Sequence, residues 1–183
     1  MPDLKLVGLC GALRAASTNR LLLNEAARRF GPAEYTELDL RFPLYDADIE
    51  NGPGIPEEVQ QAADRIAAAD AVIVASPEYN KGITGVLKNA LDWISRTEGN
   101  PWRDKPVALV SAAAGMAGGP RSQAQARLCL IPFRPHLLPG PEVMVGQTST
   151  KWDEDGRLKD ETGIKLLTEL MEDLRRLAEA KRG

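Results

Sequence analysis

The 183-residue chain has 43% hydrophobic residues, 27% charged residues and a formal net charge of -3, which is typical of one globular domain. This charge gives no basic field for nucleic acid, and the apolar runs have strand length, so neither nucleic-acid binding nor a membrane span is expected. The only histidine is His136, which argues against histidine triads and multi-histidine sites, and we expect no metal centre. Cys10 and Cys129 lack metal or redox spacing and are interpreted as buried thiols. Residues 1–13 lack the features of a signal peptide, and a cytoplasmic protein is expected.

The first half of the chain alternates apolar strands with amphipathic helices. We predict a strand over residues 4–10, a helix over residues 19–30 capped by Ser17 or Thr18, and a short strand over residues 35–40. Residues 41–54 contain several prolines and glycines and are predicted to form a long surface loop. A helix should then start at Pro56.

The central segment, residues 71–96, is the most informative. Residues 71–75 form an unbroken apolar run, typical of a strand buried on both faces of a parallel sheet. Pro77 ends this strand, and from Ile83 onward apolar residues recur at helical spacing. The loop between them lies at the carboxyl end of the strand, which is where open α/β sheets bind ligands.

The second half continues the alternation. We predict a strand over residues 107–113, a helix over 120–131, an edge strand over 137–145 and a terminal helix over 158–180. Together these elements predict an α/β fold: a five-stranded parallel sheet with helices on both faces.

Unusual residues follow the first strand. Gly11 allows close backbone approach, the following helix start offers free N–H groups, and Arg14, Ser17 and Asn19 add side-chain donors. This combination suits a terminal phosphate, although a capped helix start with a solvated arginine explains the same residues. The loop has neither the glycine pattern of dinucleotide sites nor that of nucleoside triphosphate sites.

Two further loops carry related signals. After the third strand, Tyr79 could stack on a ring and Asn80 could bind its polar edge. After the fourth strand, residues 111–119 are small and glycine-rich, so a flat ring could lie against their backbone. An ordinary turn and a flexible connector are the alternatives for these loops. Their coincidence at one edge of the sheet favours a binding site.

Two motifs resemble those of a known family. The first is VGLCGALR at residues 7–14, followed by Ser17 and Asn19-Arg20, and the second is SPEYN at residues 76–80, followed by GVLKNALDW at residues 85–93. They are similar to the signatures of the NADPH-dependent FMN reductases, and most of all to the branch of bacterial chromate and quinone reductases. Shorter matches at 110–112, 141–143 and 146–147 extend the resemblance over nearly the whole chain.

The resemblance implies a flavodoxin-like fold with strand order 2-1-3-4-5, bound FMN, and a homodimer or homotetramer. It assigns Arg14, Ser17 and Asn19 to the phosphate, and the second loop to the ring. The cofactor-binding residues expected by motif are Gly11, Leu13, Arg14, Ser17, Asn19, Arg20, Pro77, Glu78, Tyr79, Asn80, Ser111, Ala112 and Gly115. This chain departs from the family at Ala12, where serine is common, and at Ala113-Ala114, where serine-proline is usual.

The implied function is transfer of hydride from NADPH or NADH through FMN to a small-molecule acceptor. Quinones, flavins, azo compounds and metal oxyanions such as chromate are the expected acceptors, and no catalytic side chain is expected. A flavodoxin-type electron carrier is one alternative, but such carriers tend to be strongly acidic, whereas this chain has 23 basic and 26 acidic residues. A non-catalytic FMN-binding domain is the other. Trp93 is interpreted as a core residue or, preferably, a subunit contact, and Trp102 and Trp152 could border the pocket of a neighbouring subunit.

Overall fold

A parallel sheet covered by helices on both faces organises residues 3–182, the part of the chain that the computed structural model describes. The strands are β1 (Leu4–Cys10), β2 (Ala33–Leu38), β3 (Ala71–Ala75), β4 (Pro106–Ala112), β5 (His136–Leu137) and β6 (Val143–Val145). The helices are α1 (Thr18–Phe30), α2 (Ala47–Asn51), α3 (Glu57–Ala68), α4 (Gly85–Ile94), α5 (Pro120–Leu130) and α6 (Glu161–Arg182). The strand order is β2-β1-β3-β4-β5, with β6 also paired to β4, and every strand pair is parallel. The predicted flavodoxin-like fold is confirmed.

Two hydrophobic cores lie on opposite faces of the sheet. Leu6 and Ile73 pack in one core with α1 and α6, whereas Val7 and Val72 pack in the other with α3, α4 and α5. Successive residues of a strand point to opposite faces, so a strand covered on both faces must be apolar throughout. This explains the unbroken apolar run of β3, in which every residue is buried.

The second strand differs from its prediction. It was expected over residues 35–40, but β2 starts immediately after Pro32, because parallel pairing matches Ala33 with Leu4 and Leu38 with Leu9. Leu40 lies beyond the pairing and is nevertheless buried in the core beside α3. Its apolar character comes from packing, which a sequence pattern cannot distinguish from strand periodicity.

The predicted last strand, residues 137–145, is divided. β5 and β6 both pair with β4, and residues 139–142 between them leave the sheet after the Leu138 N–H has donated to the Val107 carbonyl at 2.9 Å. Pro139 and Pro141 lie in this interruption, where the missing proline N–H groups cannot contribute to a ladder. The fifth position of the sheet is therefore shared by two short strands.

Smaller corrections concern the loop before α3 and two tryptophans. The predicted surface loop over residues 41–54 contains α2, which Asp46 caps by accepting a hydrogen bond from the Asp48 N–H at 2.9 Å. Trp93 and Trp102 are 0% and 1% exposed. Both are core residues, so the core interpretation of Trp93 is correct, and the preference for a subunit contact and the placement of Trp102 beside a neighbouring subunit were wrong. None of the helices over residues 3–182 is long and apolar enough to cross a membrane.

A buried carboxylate stabilises α1 and its surroundings. Glu25 is 3% exposed and pairs with Arg28 and, at 2.7 Å, with Arg29. Burial alone would raise the pKa of this carboxyl, but the hydrogen bonds and charges of the two arginines outweigh burial and hold the pKa below its ordinary value of 4.5. A lowered pKa means that the pairing contributes stability above about pH 4.5, which is lost as the pH falls through the folded-state pKa.

Candidate functional site

The loop between β1 and α1 passes very close to the chain after β3. A Cβ atom placed on Gly11 would lie 2.8 Å from Pro77 Cδ and 3.0 Å from Thr84 Oγ1. The Gly11 N–H donates to the Ala75 carbonyl at 2.9 Å, and its carbonyl accepts from Thr84 Oγ1 at 2.7 Å. Glycine is required at this position because any side chain would separate the two loops.

The same loop presents unpaired donors. Ser17 caps α1, its hydroxyl accepting from the Asn19 N–H at 3.3 Å. Within residues 3–182, no hydrogen bond reaches the backbone N–H groups of residues 13–16, and those residues are exposed. Arg14 makes no side-chain hydrogen bond or ion pair with another described residue. Within residues 3–182, a row of unpaired amides, a helix N-terminus and the Arg14 guanidinium are thus donors suited to an anion.

Two other arginines bind the opposite side of this loop. Arg20 donates to the Ala12 carbonyl at 3.2 Å and to the Arg14 carbonyl at 2.9 Å. Arg41 donates to the Leu13 carbonyl at 3.1 Å. Arg20 was expected among the cofactor-binding residues, whereas Arg41 was not identified from the sequence, since nothing local marks a residue of the following loop as a partner of this one.

The Asn19 side chain joins the first loop to the end of β4. Its Nδ2 donates to the Ala112 carbonyl at 2.7 Å and its Oδ1 accepts from the Ala112 N–H at 2.9 Å. Asn19 is 4% exposed, so both bonds are buried. The carboxamide thus uses its acceptor and one donor on a backbone group 93 residues away along the chain.

The second loop forms a tight turn after β3. Tyr79 and Gly82 exchange two backbone hydrogen bonds of 3.0 and 3.1 Å, and Asn80 and Lys81 between them have φ values of 50° and 70°. Positive φ at both central residues is typical of a type I′ turn, for which asparagine is well suited. The turn leaves the Tyr79 side chain 57% exposed above the carboxyl end of the sheet.

Helix α5 fixes this turn on both sides. The Glu78 carboxylate accepts from the N–H groups of Arg121 and Ser122 at 2.9 and 3.3 Å, and so caps the start of α5. Gln125 Oε1 accepts from the Ile83 N–H at 3.0 Å on the other side of the turn. The Glu78 side chain is therefore occupied by the helix terminus.

The third loop lies against β6. Ser111 is fully buried and donates its hydroxyl to the Gly118 carbonyl at 2.7 Å. A Cβ atom on Gly118, where φ is 73°, would lie 2.5 Å from the Met144 carbonyl carbon. Gly115 is exposed, and its carbonyl accepts from the Gln147 N–H at 3.1 Å. The loop thus has an exposed backbone that is fixed by hydrogen bonds from Ser111 and from the chain after β6.

A buried polar cluster supports the second and third loops, and its members Ser122 and Gln123 were not identified from the sequence. Ser76, Ser111, Ser122 and Gln123 are all 0% exposed. Ser122 Oγ lies 2.7 Å from the Ser76 carbonyl, and Gln123 Nε2 donates to Ser111 Oγ at 3.0 Å. The one sequence signal of Ser122 and Gln123 is that they are polar residues on the inward side of a helix, which is also seen at ordinary helix starts.

Exposed apolar side chains surround the site. They lie on the loops that follow β1 to β4: Leu13, Leu44, Tyr45, Tyr79 and Met116. Leu44 and Met116 are 81% and 83% exposed. Leu44 is held in place because the Asn89 side chain bonds to both of its neighbours, the Pro43 carbonyl at 2.9 Å and the Tyr45 N–H at 2.8 Å.

The two cysteines differ in environment. Cys10 is 2% exposed at the end of β1, and burial raises the pKa of its thiol although hydrogen bonding and Arg20 oppose this. Cys129 on α5 is only partly buried, so the expectation of two buried thiols is correct for Cys10 alone.

Comparisons with known proteins agree with this architecture. A family model described as NADPH-dependent FMN reductase matches residues 4–150. An NAD(P)H-dependent FMN reductase of Pseudomonas aeruginosa is 38% identical over 183 residues, covering 99% of this chain and 98% of the relative. An NAD(P)H:quinone oxidoreductase of Solanum tuberosum is 40% identical and covers 87% of this chain and 85% of the relative. A quinone reductase of Escherichia coli is 35% identical, and the match covers 90% of this chain and 90% of the relative.

A solved structure is also similar. The flavoenzyme NAD(P)H:(acceptor) oxidoreductase from Paracoccus denitrificans superposes with a TM-score of 0.85 at 29% identity, covering 96% of this chain and 97% of that one.

Proposed function

This chain belongs to the NADPH-dependent FMN reductase family, and we propose that it reduces quinones with NAD(P)H at an FMN held by the loops after β1, β3 and β4. An FMN-dependent oxidoreductase is what the family membership gives. Quinone as the acceptor is supported by the quinone reductases among the relatives.

The free amides of residues 13–16 support this assignment most strongly. They adjoin the start of α1 and the unpaired Arg14 guanidinium, which is the donor set that a terminal phosphate requires. FMN ends in such a phosphate, so the residues present fit the cofactor. We propose that these amides and Arg14 hold the phosphate, with Gly11 allowing the loops to close around it.

The ring would lie between the second and third loops. Tyr79 is exposed there and offers stacking surface, and Asn80 and Gly115 are exposed on the same two loops. Pro77 and Ala112, which were also expected at the cofactor, are buried, and the Ala112 N–H and carbonyl are bonded to Asn19. When bound, FMN supplies the hydride-transfer chemistry that amino-acid side chains lack. The chain's own residues would position the ring for the hydride donor and the acceptor.

Three residues expected at the cofactor are proposed to act through the backbone instead. Asn19, Glu78 and Ser111 are hydrogen-bonded to Ala112, to the start of α5 and to Gly118. Each bond joins two of the loops or fixes one of them. We propose that these side chains set the loop geometry, and that direct contact with FMN comes mainly from backbone groups, Arg14 and Tyr79.

The first experiment is identification of the cofactor. The purified protein, reconstituted if necessary, should show a flavin absorption spectrum, and the cofactor released by denaturation should co-migrate with FMN on chromatography. FAD, or no flavin after reconstitution, would contradict the proposal.

The second experiment is steady-state turnover. Oxidation of NADPH or NADH should proceed continuously with a benzoquinone as acceptor, with flavins, azo dyes and chromate as comparison acceptors. Flavin that is bleached by NADPH but passes no electrons to any of these acceptors would instead indicate a carrier of the flavodoxin type.

We further propose a cytoplasmic homodimer or homotetramer. The exposed apolar rim of the site, Leu44 and Met116 above all, supports association, since large apolar side chains clustered at a surface mark contact sites. Light scattering after size exclusion should give a mass above the 19.9 kDa of one chain, and Leu44→Asp should lower it. A monomer at all concentrations would contradict this, and cell fractionation tests the compartment.

A further inference from the structure

We propose that Arg20 and Arg41, anchored by Glu37 and Asp39, orient the free amides of the first loop from behind. We call these two arginines the carbonyl clamp. The inference rests on the proposed function, because it takes residues 13–16 to be the phosphate site. It assigns Arg20 a positioning role in place of the direct cofactor contact that its motif implies.

The clamp engages three consecutive carbonyls. Arg20 bonds the carbonyls of Ala12 and Arg14, and Arg41 bonds that of Leu13 between them. In a trans peptide, the C=O of one residue and the N–H of the next point in opposite directions. With these carbonyls directed at the two guanidiniums, the N–H groups of Leu13, Arg14 and Ala15 point away from them. Those three N–H groups are among the four that make no hydrogen bond within residues 3–182.

Each clamp arginine has a carboxylate partner near the end of β2. Arg20 Nε lies 2.7 Å from Glu37 Oε1, and both side chains are 24% exposed. Arg41 Nη1 lies 3.0 Å from Asp39 Oδ1, but in a more exposed pair. Salt bridges at the surface contribute little, so the half-buried Arg20–Glu37 pair carries most of the anchoring. In this way β2 fixes the first loop, from which it is separated along the chain by α1.

This arrangement makes a prediction about Glu37 that a direct role of Arg20 does not. If Arg20 bound the phosphate itself, Glu37 would compete for it and repel the anion, and removing its charge would tighten FMN. If Arg20 acts by holding carbonyls, removing its anchor loosens the loop and weakens FMN. Removing the charge of Glu37 should therefore raise FMN affinity if Arg20 binds the phosphate directly, and lower it if Arg20 positions the loop.

The experiment measures how much the phosphate adds to flavin binding. Apo-protein is titrated with FMN and with riboflavin, which lacks the phosphate. The ratio of the dissociation constant of riboflavin to that of FMN is then compared among variants. The ratio is insensitive to a partial loss of folded protein, because both flavins see the same folded fraction. Arg20→Gln, Arg20→Lys and Glu37→Gln are tested, with Glu34→Gln as the matched control on the same strand, whose side chain has no ion pair within residues 3–182.

We expect Arg20→Gln and Glu37→Gln each to lower the ratio by about tenfold, with riboflavin affinity nearly unchanged. Arg20→Lys should lower it too, because one ammonium cannot bind two carbonyls and a carboxylate in the planar geometry of a guanidinium. Glu34→Gln should leave the ratio unchanged.

Two results would overturn the clamp. A ratio that Glu37→Gln raises or leaves unchanged would assign Arg20 directly to the phosphate, as would full retention by Arg20→Lys. A ratio near one in the wild-type protein would instead overturn the phosphate site itself, and the clamp with it, so the two failures are distinguishable.

Discussion

Asn19→Ala should destabilise the protein even when no flavin is bound. The Asn19 carboxamide makes two buried hydrogen bonds, of 2.7 and 2.9 Å, to the carbonyl and N–H of Ala112. Alanine would leave both backbone groups without their partner at the junction of α1 and β4. A residue whose only task was to bind phosphate would have no such effect on the apo-protein.

The size of the effect follows from those two groups. A buried polar group left unsatisfied costs roughly 1–3 kcal/mol, so two cost roughly 2–6 kcal/mol, and water entering the space of the missing carboxamide reduces this. We expect a loss of about 3 kcal/mol in the free energy of unfolding. For a chain of this length that corresponds to a fall of about 6–12 °C in melting temperature.

The assay is urea unfolding of the apo-protein, because bound flavin would add stability by mass action and obscure the comparison. Asn19→Asp keeps the shape and the bond from the Ala112 N–H, but it opposes a carboxylate oxygen to the Ala112 carbonyl, so it should also destabilise. Asn24→Ala is the control on the same helix, since the Asn24 side chain has no hydrogen bond within residues 3–182, and it should cost less than about 0.5 kcal/mol.

An apo-protein whose unfolding midpoint is unchanged by Asn19→Ala would refute the reasoning. Combined with weaker binding of FMN but not of riboflavin, that result would return Asn19 to the phosphate, the role that the family motif implies.

Three further outcomes are expected. Arg14→Ala should weaken FMN binding by about 1.5–3 kcal/mol, the range for a hydrogen bond to a charged group. Riboflavin binding and apo stability should stay unchanged, because the Arg14 side chain makes no hydrogen bond or ion pair with another described residue. Replacing Tyr79 by alanine together with Asn80 by glycine, which tolerates the φ of 50°, should lower flavin affinity or turnover while the apo melting temperature stays nearly constant. Glu25→Gln should lower the melting temperature at pH 7 and reduce its dependence on pH below about 4.5, since the pKa of Glu25 is lowered in the folded protein.

Each of these has a contrary result. Unchanged FMN affinity in Arg14→Ala would make this arginine a solvated side chain. An early-melting apo double variant with normal residual turnover would make the turn after β3 structural. Parallel pH profiles for Glu25→Gln and wild type would show that the buried pairing adds no pH-dependent stability.

The sheet and its ligand-binding edge were determined by the sequence. The apolar runs of β1, β3 and β4 and the helical periodicity between them are local patterns, and they predicted the α/β alternation. Because parallel strands end at the same edge, the chain direction alone placed the three loops together. The ends of β2 and of the last strand were less predictable, because Leu40 is buried without pairing and two prolines interrupt the edge.

The role of each polar side chain was decided by the tertiary structure. In the sequence, Arg14, Asn19 and Arg20 are equivalent donors within one motif. In the fold, the Arg14 side chain makes no hydrogen bond or ion pair within residues 3–182, Asn19 binds a peptide group 93 residues away, and Arg20 is turned toward Glu37 on β2. A hydrogen bond depends on the distance and angle between two groups, and for partners far apart in the chain only the packed sheet and helices set that geometry.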